Sequence, residues 1–239
     1  MKASAQIPFR IPHWLAALAM LFLCTHSAQA HIVGSEGGGF AAGFKHPWSG
    51  WDHILAMVAV GIWGAQLGKP AIWLLPVTFP LVMSVGGFLG LLGLSASFHL
   101  GSLTLNADEV GIAFSMLALG SMVLSEARPP LWVAAVLVGF FGLCHGFAHG
   151  KELPAGESGL LYSIGFVIAT GTLHGVGIFI GTIHRWKAGQ IALRLAGAII
   201  VLGGVYFLWD DLHPEAAAEP APKTAQAAAT TFSGFHFHG

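Results

Sequence analysis

Two short polar clusters interrupt otherwise apolar stretches of the sequence. Each supplies imidazole and carboxylate side chains, namely His46, Asp52 and His53 in the first cluster and His145, His149 and Glu152 in the second. Such side chains are costly in hydrocarbon, so they rarely occur there unless they pair, line a wet cavity or bind an ion. Their nitrogen and oxygen atoms suit a divalent transition-metal ion. We therefore expect the two clusters to form a metal-binding site.

The second cluster has the spacing of one helix face. His145 and His149 are four residues apart and Glu152 follows three residues later, so all three side chains lie on the same side of a helix. Two imidazoles and one carboxylate stacked in this way can coordinate a single divalent ion. In the alternative interpretation, these histidines only form hydrogen bonds at the membrane interface, where the helix ends.

The first cluster is expected at the start of another helix. Proline suits the first helical turn, where its missing N–H costs nothing, so the helix is predicted to begin at Pro47 with His46 at its entrance. Asp52 and His53 then follow one to two turns further along. Because the two cluster-bearing helices are expected to run in opposite directions, both clusters lie at the same depth. In the alternative interpretation, Asp52 caps a neighbouring backbone and His53 only pairs with it.

His174 lies midway through a further apolar segment, deeper in the membrane than the two clusters. A lone histidine at this depth is equally consistent with two roles. It can form a hydrogen bond to a neighbouring helix, or it can be a second metal station that receives an ion from the outer site. The sequence leaves both roles open.

The composition is that of a membrane protein. Of the 239 residues, 55% are hydrophobic and only 9% are charged, and the mean hydropathy is +0.72. A soluble globular protein carries about 25% charged residues. The formal net charge of -1 provides no basic surface for nucleic acid, so nucleic-acid binding is not expected.

The two ends of the chain differ from its middle. Residues 1–30 are predicted to be a cleavable signal peptide, because a basic start and an apolar run precede the small residues Ala28 and Ala30. An uncleaved first helix is the alternative. Residues 31–46 would then form a periplasmic N-terminal segment. Residues 210–239 are rich in Ala, Pro, Glu, Lys and Thr, which indicates a disordered periplasmic tail.

Residues 47–209 are predicted to form a transmembrane domain of six helices. Crossing a bilayer takes about 20 apolar residues, with a range of about 17–25. The six predicted spans run approximately from Pro47 to Leu67, Ala71 to Leu94, Glu109 to Ser125, Leu131 to Ala148, Gly159 to Ile183 and Ile191 to Trp209. The short connections between them leave no room for a soluble domain. The fold class is therefore an all-α membrane protein.

The orientation follows from the signal peptide and from a count of basic residues. A cleaved signal peptide leaves the new N-terminus in the periplasm, and six spans return the C-terminus there, so both termini of the mature chain are expected to be periplasmic. The connections on the cytoplasmic side would hold Lys69, Arg128, Arg185 and Lys187, whereas the periplasmic loops between spans hold only Lys151. This bias agrees with the positive-inside rule.

Glycine spacing predicts where helices approach closely. Gly142, Gly146 and Gly150 recur at every fourth residue of the fourth span, which places three small residues on one face. We expect the backbone of another helix to pack there. Gly171 and Gly175 repeat the spacing in the fifth span, but a single pair is common in membrane helices and predicts nothing by itself.

The two motifs resemble the signatures of the HupE/UreJ family of bacterial nickel permeases. The motifs are His46-x5-Asp52-His53 and His145-Gly-x-Ala-His149-Gly-x-Glu152, and the resemblance extends to Leu173-His174 in the fifth span. It implies a permease rather than an enzyme, with several spans in the bacterial inner membrane. The metal-handling role of the family would carry onto the six motif residues.

The resemblance also implies a substrate. It would be Ni²⁺, or Co²⁺, moved by secondary transport from the periplasm to the cytoplasm, with no prosthetic group and with hydrogenase or urease maturation proteins as recipients. The sequence departs from the family pattern at Cys144, where phenylalanine is usual. A thiol there could add a soft ligand or could only fill space.

An intramembrane metal-dependent hydrolase is the alternative function. Such an enzyme needs an open metal position and a general base. The usual zinc-protease signature has glutamate directly after the first histidine, but Gly146 follows His145. A permease is therefore the favoured function. Because the sequence contains no Gly-x4-Gly-Lys-Ser/Thr nucleotide-binding motif, its driving force is expected to be an ion gradient, the membrane potential or protons.

Overall fold

The structure is a computed structural model that describes residues 38–93, 97–100, 103–153 and 156–213. Its α-helices are α1 Gly38–Ser49, α2 Trp51–Leu67, α3 Ala71–Leu91, α4 Ala107–Ser125, α5 Leu131–Lys151, α6 Gly159–Gly181 and α7 Lys187–Leu212. A 3-10 turn at Thr182–Arg185 extends α6. The predicted signal peptide, residues 31–37 and the tail beyond residue 213 lie outside the described residues.

The prediction of an all-helical membrane domain is confirmed, but the structure adds helix α1 and a short hairpin. A short antiparallel hairpin, formed by β1 Ser97–Leu100 and β2 Leu103–Asn106, connects α3 to α4. The sequence predicts only a short connection between these two helices. Alternation of polar and apolar residues over four positions is too short a pattern to distinguish such a hairpin from a loop.

Among the residues that the structure describes, four helices are long and apolar enough to cross a membrane: α3, α5, α6 with its 3-10 extension, and α7. The other two predicted spans correspond to shorter elements. Helix α2 has 17 residues, and the apolar part of α4 is Glu109–Ser125. The chain is therefore a membrane protein.

The outward faces of these helices are apolar. Large hydrophobic side chains are more than half exposed on all four long helices: Trp73, Leu81 and Phe88 on α3, Trp132 and Phe140 on α5, Leu160 and Phe179 on α6, and Leu202 on α7. A soluble monomer rarely exposes apolar patches this extensive. Lipid is the solvent that such faces require, since the helices satisfy their own backbone hydrogen bonds.

Helix α2 occupies the centre of the bundle. From Ala56 to Gln66 nearly all its residues are buried, as is typical of a helix that is apolar on all sides. It packs against α3, α4, α6 and α7, while the remaining helices associate mainly as two pairs, α3 with α5 and α4 with α7. Both α1 and α2 run along α6.

The predicted start of the first span at Pro47 is wrong. Pro47 lies inside α1, which continues to Ser49, and a new helix begins at Trp51. Gly50 separates the two helices in an extended conformation, with φ -110° and ψ 127°. Pro47 is tolerated because proline has a helix-compatible φ and removes only one hydrogen bond, and α1 ends directly after it. The break at Gly50 was not predicted.

Close packing at the glycine triplet of α5 is confirmed. A side chain at any of these glycines would meet a backbone carbonyl of α3: Gly142 with Phe79, Gly146 with Met83, and Gly150 with Gly87. The two backbones are therefore in direct contact, as small residues permit. Gly171 and Gly175, by contrast, face open space on α6. The tight α3–α5 contact fixes the helix that carries His145 and His149.

Candidate metal site

The break between α1 and α2 brings the first polar cluster to the second. His46 lies in the last turn of α1, and Asp52 and His53 lie in the first turn of α2. The C-terminal end of α1 carries a partial negative charge that favours a cation. Interrupted helices that present their ends and side chains to an ion are a recurring feature of membrane transporters.

Three donors form an exposed group at the end of α5: His46, His149 and Glu152. The Oε2 atom of Glu152 lies 3.0 Å from Nε2 of His46 and 2.8 Å from Nδ1 of His149. These two ring nitrogens are 3.1 Å apart. The Glu152 side chain is 52% exposed, so an ion in solution can reach this group.

Glu152 remains a carboxylate in this setting. Partial burial raises its pKa, but hydrogen bonds with His149 and His46, together with their charge, outweigh burial and hold the pKa of Glu152 well below its ordinary value. The Glu152 side chain therefore carries a negative charge at neutral pH.

A second set of donors forms a buried group: His53, His145 and His149. All three residues are at most 6% exposed, and one ligand atom from each lies within 4.8 Å of the others. The Nε2 atoms of His53 and His149 are in direct contact. His149 thus belongs to both groups, with Nδ1 toward the exposed group and Nε2 toward the buried group.

Neighbouring residues determine which nitrogen each buried histidine offers. The Oδ2 atom of Asp52 lies 3.0 Å from Nδ1 of His53, which leaves Nε2 of His53 directed at His149. A carboxylate behind a metal-binding histidine is a common arrangement that fixes the ring and its tautomer. The pairing of Asp52 with His53, predicted as an alternative to metal binding, is therefore compatible with it.

Ser115 of α4 determines which nitrogen His145 offers. Its hydroxyl donates to the Ile112 carbonyl over 2.6 Å, so it must accept from Nε2–H of His145, 2.9 Å away. This assignment leaves Nδ1 of His145 with a lone pair and, within the described residues, without a hydrogen-bond partner. An imidazole nitrogen with an unused lone pair can coordinate a metal ion.

The structure keeps His174 apart from both groups. His174 is 1% exposed and belongs to neither donor group, although the Phe79 ring contacts both it and His145, with centroid distances of 5.5 Å and 5.4 Å. Six of the seven predicted metal-site residues are thus brought together at one end of α5, and His174 is not. The two predicted roles for His174 therefore have to be judged from its own surroundings.

Sequence reasoning missed several residues of the site. Ser115 has the clearest signal, because it is one of few polar residues in an apolar span, but spacing does not reveal that it faces His145. Tyr162 and Phe166, four residues apart on α6, place their rings 6.0 Å and 5.7 Å from the His46 ring. Aromatic residues are too common in membrane helices for a sequence to distinguish these two.

Comparison with known proteins gives the family. A model of the HupE / UreJ protein family matches residues 18–207. The chain belongs to the HupE/UreJ family. A HupE/UreJ relative, Protein HupE of Rhizobium leguminosarum bv. viciae, is 42% identical over 199 residues, which cover 83% of this chain and 97% of the relative. No solved structure matches this HupE/UreJ chain.

Membership of the HupE/UreJ family decides between the two function classes. Proteins of this family are membrane transporters rather than enzymes, so the predicted classification as a transporter is confirmed and the hydrolase alternative is not favoured. The family is one of nickel and cobalt transport, which agrees with a site built from imidazole and carboxylate donors.

Proposed function

We propose that this protein carries Ni²⁺, or Co²⁺, from the periplasm to the cytoplasm through the donors between α1–α2 and α5. The observation that carries this proposal is that two potential ligand sets, one exposed and one buried, share His149. A shared ligand allows an ion to change partners without losing all its protein ligands at once.

The exposed group is suited to capture. Its carboxylate attracts a hydrated cation, and His46 and His149 can replace part of the water shell as the ion arrives. The end of α1 adds a favourable dipole at the same point. Because Glu152 is half exposed, the attraction is screened by water and salt, so the ion is held loosely enough to move on.

The buried group is suited to selection. Three imidazoles favour Ni²⁺ and other borderline transition metals over Mg²⁺ and Ca²⁺, which prefer oxygen ligands. Transport requires binding that is strong enough to select and weak enough to release. A set of three histidines without a thiolate meets both requirements better than a closed cysteine cage.

The membrane arrangement completes the proposal. Helices α2 to α7 would supply six crossings of the bacterial inner membrane, with both ends of the mature chain in the periplasm and the basic residues Lys69, Arg128 and Arg185 on the cytoplasmic side. Without a nucleotide-binding motif, the driving force would be an ion gradient, a proton gradient or the membrane potential. Hydrogenase or urease maturation proteins would receive the metal.

Uptake of radiolabelled nickel tests this function. Cells that produce the protein should accumulate more label than cells with an empty vector, and His53→Ala or Glu152→Ala should remove that excess. His184→Ala is a matched control, since His184 lies in the 3-10 turn and bonds to the Gly181 carbonyl at the other end of α6. Undiminished uptake in both site variants, at normal membrane levels, would refute the proposed site. Competition with excess Co²⁺, Zn²⁺ or Cu²⁺ would rank the substrates.

A further inference from the structure

A second polar patch lies in the interior of the bundle beside Phe79, whose ring also contacts His145 of the buried group. It consists of Thr170 and His174, which are four residues apart on α6 and therefore on one face of that helix. Their exposures are 0% and 1%. Neither ring nitrogen of His174 nor Oγ1 of Thr170 has a hydrogen-bond partner among the described residues.

Unsatisfied groups of this kind are rare in a folded interior. Burying a polar group without a partner costs about 1–3 kcal/mol, so native proteins seldom leave three such atoms together. Thr172, two residues away, shows the usual solution, since its hydroxyl donates to the Ile168 carbonyl of its own helix over 2.8 Å. The hydroxyl of Thr170 does not make the corresponding bond.

Helix α3 supplies a further oxygen at the same place. Pro76 and Pro80 both lie inside α3, and the carbonyl of Pro76 would normally accept from the N–H of residue 80. Pro80 has no N–H, so this carbonyl lacks its helical partner. It lies against the imidazole of His174 without hydrogen-bond geometry.

The patch adjoins the proposed metal site. The Phe79 ring contacts both His145 of the buried group and His174, at nearly equal centroid distances of 5.4 Å and 5.5 Å. The backbone of His174 also packs against Gly61 of the central helix α2. His174 is therefore a near neighbour of the buried group in the interior of the bundle.

We propose that Thr170, His174 and the Pro76 carbonyl form an inner relay site for the transported divalent transition-metal ion. This inference rests on the proposed transport function. The site offers one imidazole nitrogen, one hydroxyl oxygen and one carbonyl oxygen, all neutral. Because it contains no carboxylate, it holds the ion more weakly than the exposed group does, which favours onward release.

Two variants test the relay site through nickel uptake and nickel binding. His174→Gln and Thr170→Val should each reduce uptake by about tenfold or more, the low end of the range expected when a metal site loses one supporting partner. Both should still bind Ni²⁺ at the exposed and buried groups when the purified full-length protein is titrated. Thr172→Val and His184→Gln are the matched controls, and both should transport normally.

The outcomes separate this inference from the proposed function. Normal uptake in His174→Gln and Thr170→Val, with loss of uptake in His149→Ala, would overturn the relay site. The proposed transport function would still stand, and the patch would hold only water. Absence of uptake by the unaltered protein would refute the transport function itself. If His174→Gln fails to reach the membrane, Thr170→Val decides, because it keeps the shape of the side chain and removes only the hydroxyl.

Discussion

The exposed and buried donor groups share one residue and differ in almost everything else. The exposed group has a carboxylate that is half in contact with solvent, and a pKa held low by its histidine neighbours. The buried group has only imidazoles, fixed from behind by Asp52 and Ser115. The comparison separates two tasks: a charge at the surface attracts cations of many kinds, whereas imidazole nitrogens in the buried interior distinguish among them.

Replacement of the shared residue should have the largest effect. His149→Ala removes a ligand from both groups at once, so nickel uptake should fall to the level of empty-vector cells. Normal membrane levels of the variant would show that the loss concerns the site. Residual uptake well above background would mean that the two groups do not act in series through His149.

Loss of the hydrogen bond between Ser115 and His145 of the buried group should have a smaller but clear effect. Ser115→Ala leaves Nε2–H of His145 without its acceptor and frees the ring to present the wrong nitrogen, so nickel affinity should fall by about 10–100-fold. The measurement is titration of the purified protein with Ni²⁺.

Ser121→Ala is the control for this prediction. Ser121 also lies on α4, but its hydroxyl donates to the Leu117 carbonyl of its own helix over 2.6 Å. The control should bind Ni²⁺ as the unaltered protein does. Equal affinities for Ser115→Ala and Ser121→Ala would contradict the role given to Ser115.

Removal of the exposed charge should change capture more than maximal rate. Glu152→Gln keeps an oxygen donor and the side-chain size but loses the negative charge, so the apparent KM for nickel should rise several-fold while the maximal uptake rate stays near normal. Uptake measured across nickel concentrations separates the two. Glu126→Gln is the control, because Glu126 belongs to neither donor group and pairs over 3.2 Å with Arg194, whose side chain is 57% exposed. A fall in maximal rate alone would contradict the capture role.

The smallest effect is expected at Cys144. Its Sγ atom lies on the side of α5 that faces Gly111 of α4, and it belongs to neither donor group. Cys144→Ala should therefore leave both nickel affinity and uptake unchanged. A marked loss of affinity would add the thiol to the buried group and change the expected metal preference toward softer ions.

The membrane helices and the residues of the two polar clusters could be predicted from the sequence because their signals are local. Apolar length identifies spans, and the spacing of His145, His149 and Glu152 defines one face of α5. The glycine triplet on that helix likewise predicted a close neighbour. Each of these inferences depends on residues within a few turns of one another.

The remaining features depend on tertiary packing. The break at Gly50 places His46 and His53 against the same histidine, although a continuous helix from Pro47 would have separated them by about two turns. The position of Ser115 behind His145 depends on how α4 meets α5. The orphaned carbonyl of Pro76 matters only because α6 carries His174 to it. None of these contacts leaves a periodic signal in the sequence.

X-ray absorption spectroscopy of the purified, nickel-loaded protein tests the central claim most directly. The account predicts nickel bound by nitrogen and oxygen with a clear contribution from several imidazoles, and a marked loss of that contribution in His149→Ala. Nickel coordinated without histidine, or an imidazole signal that His149→Ala leaves unchanged, would contradict the claim that one histidine joins the two donor groups.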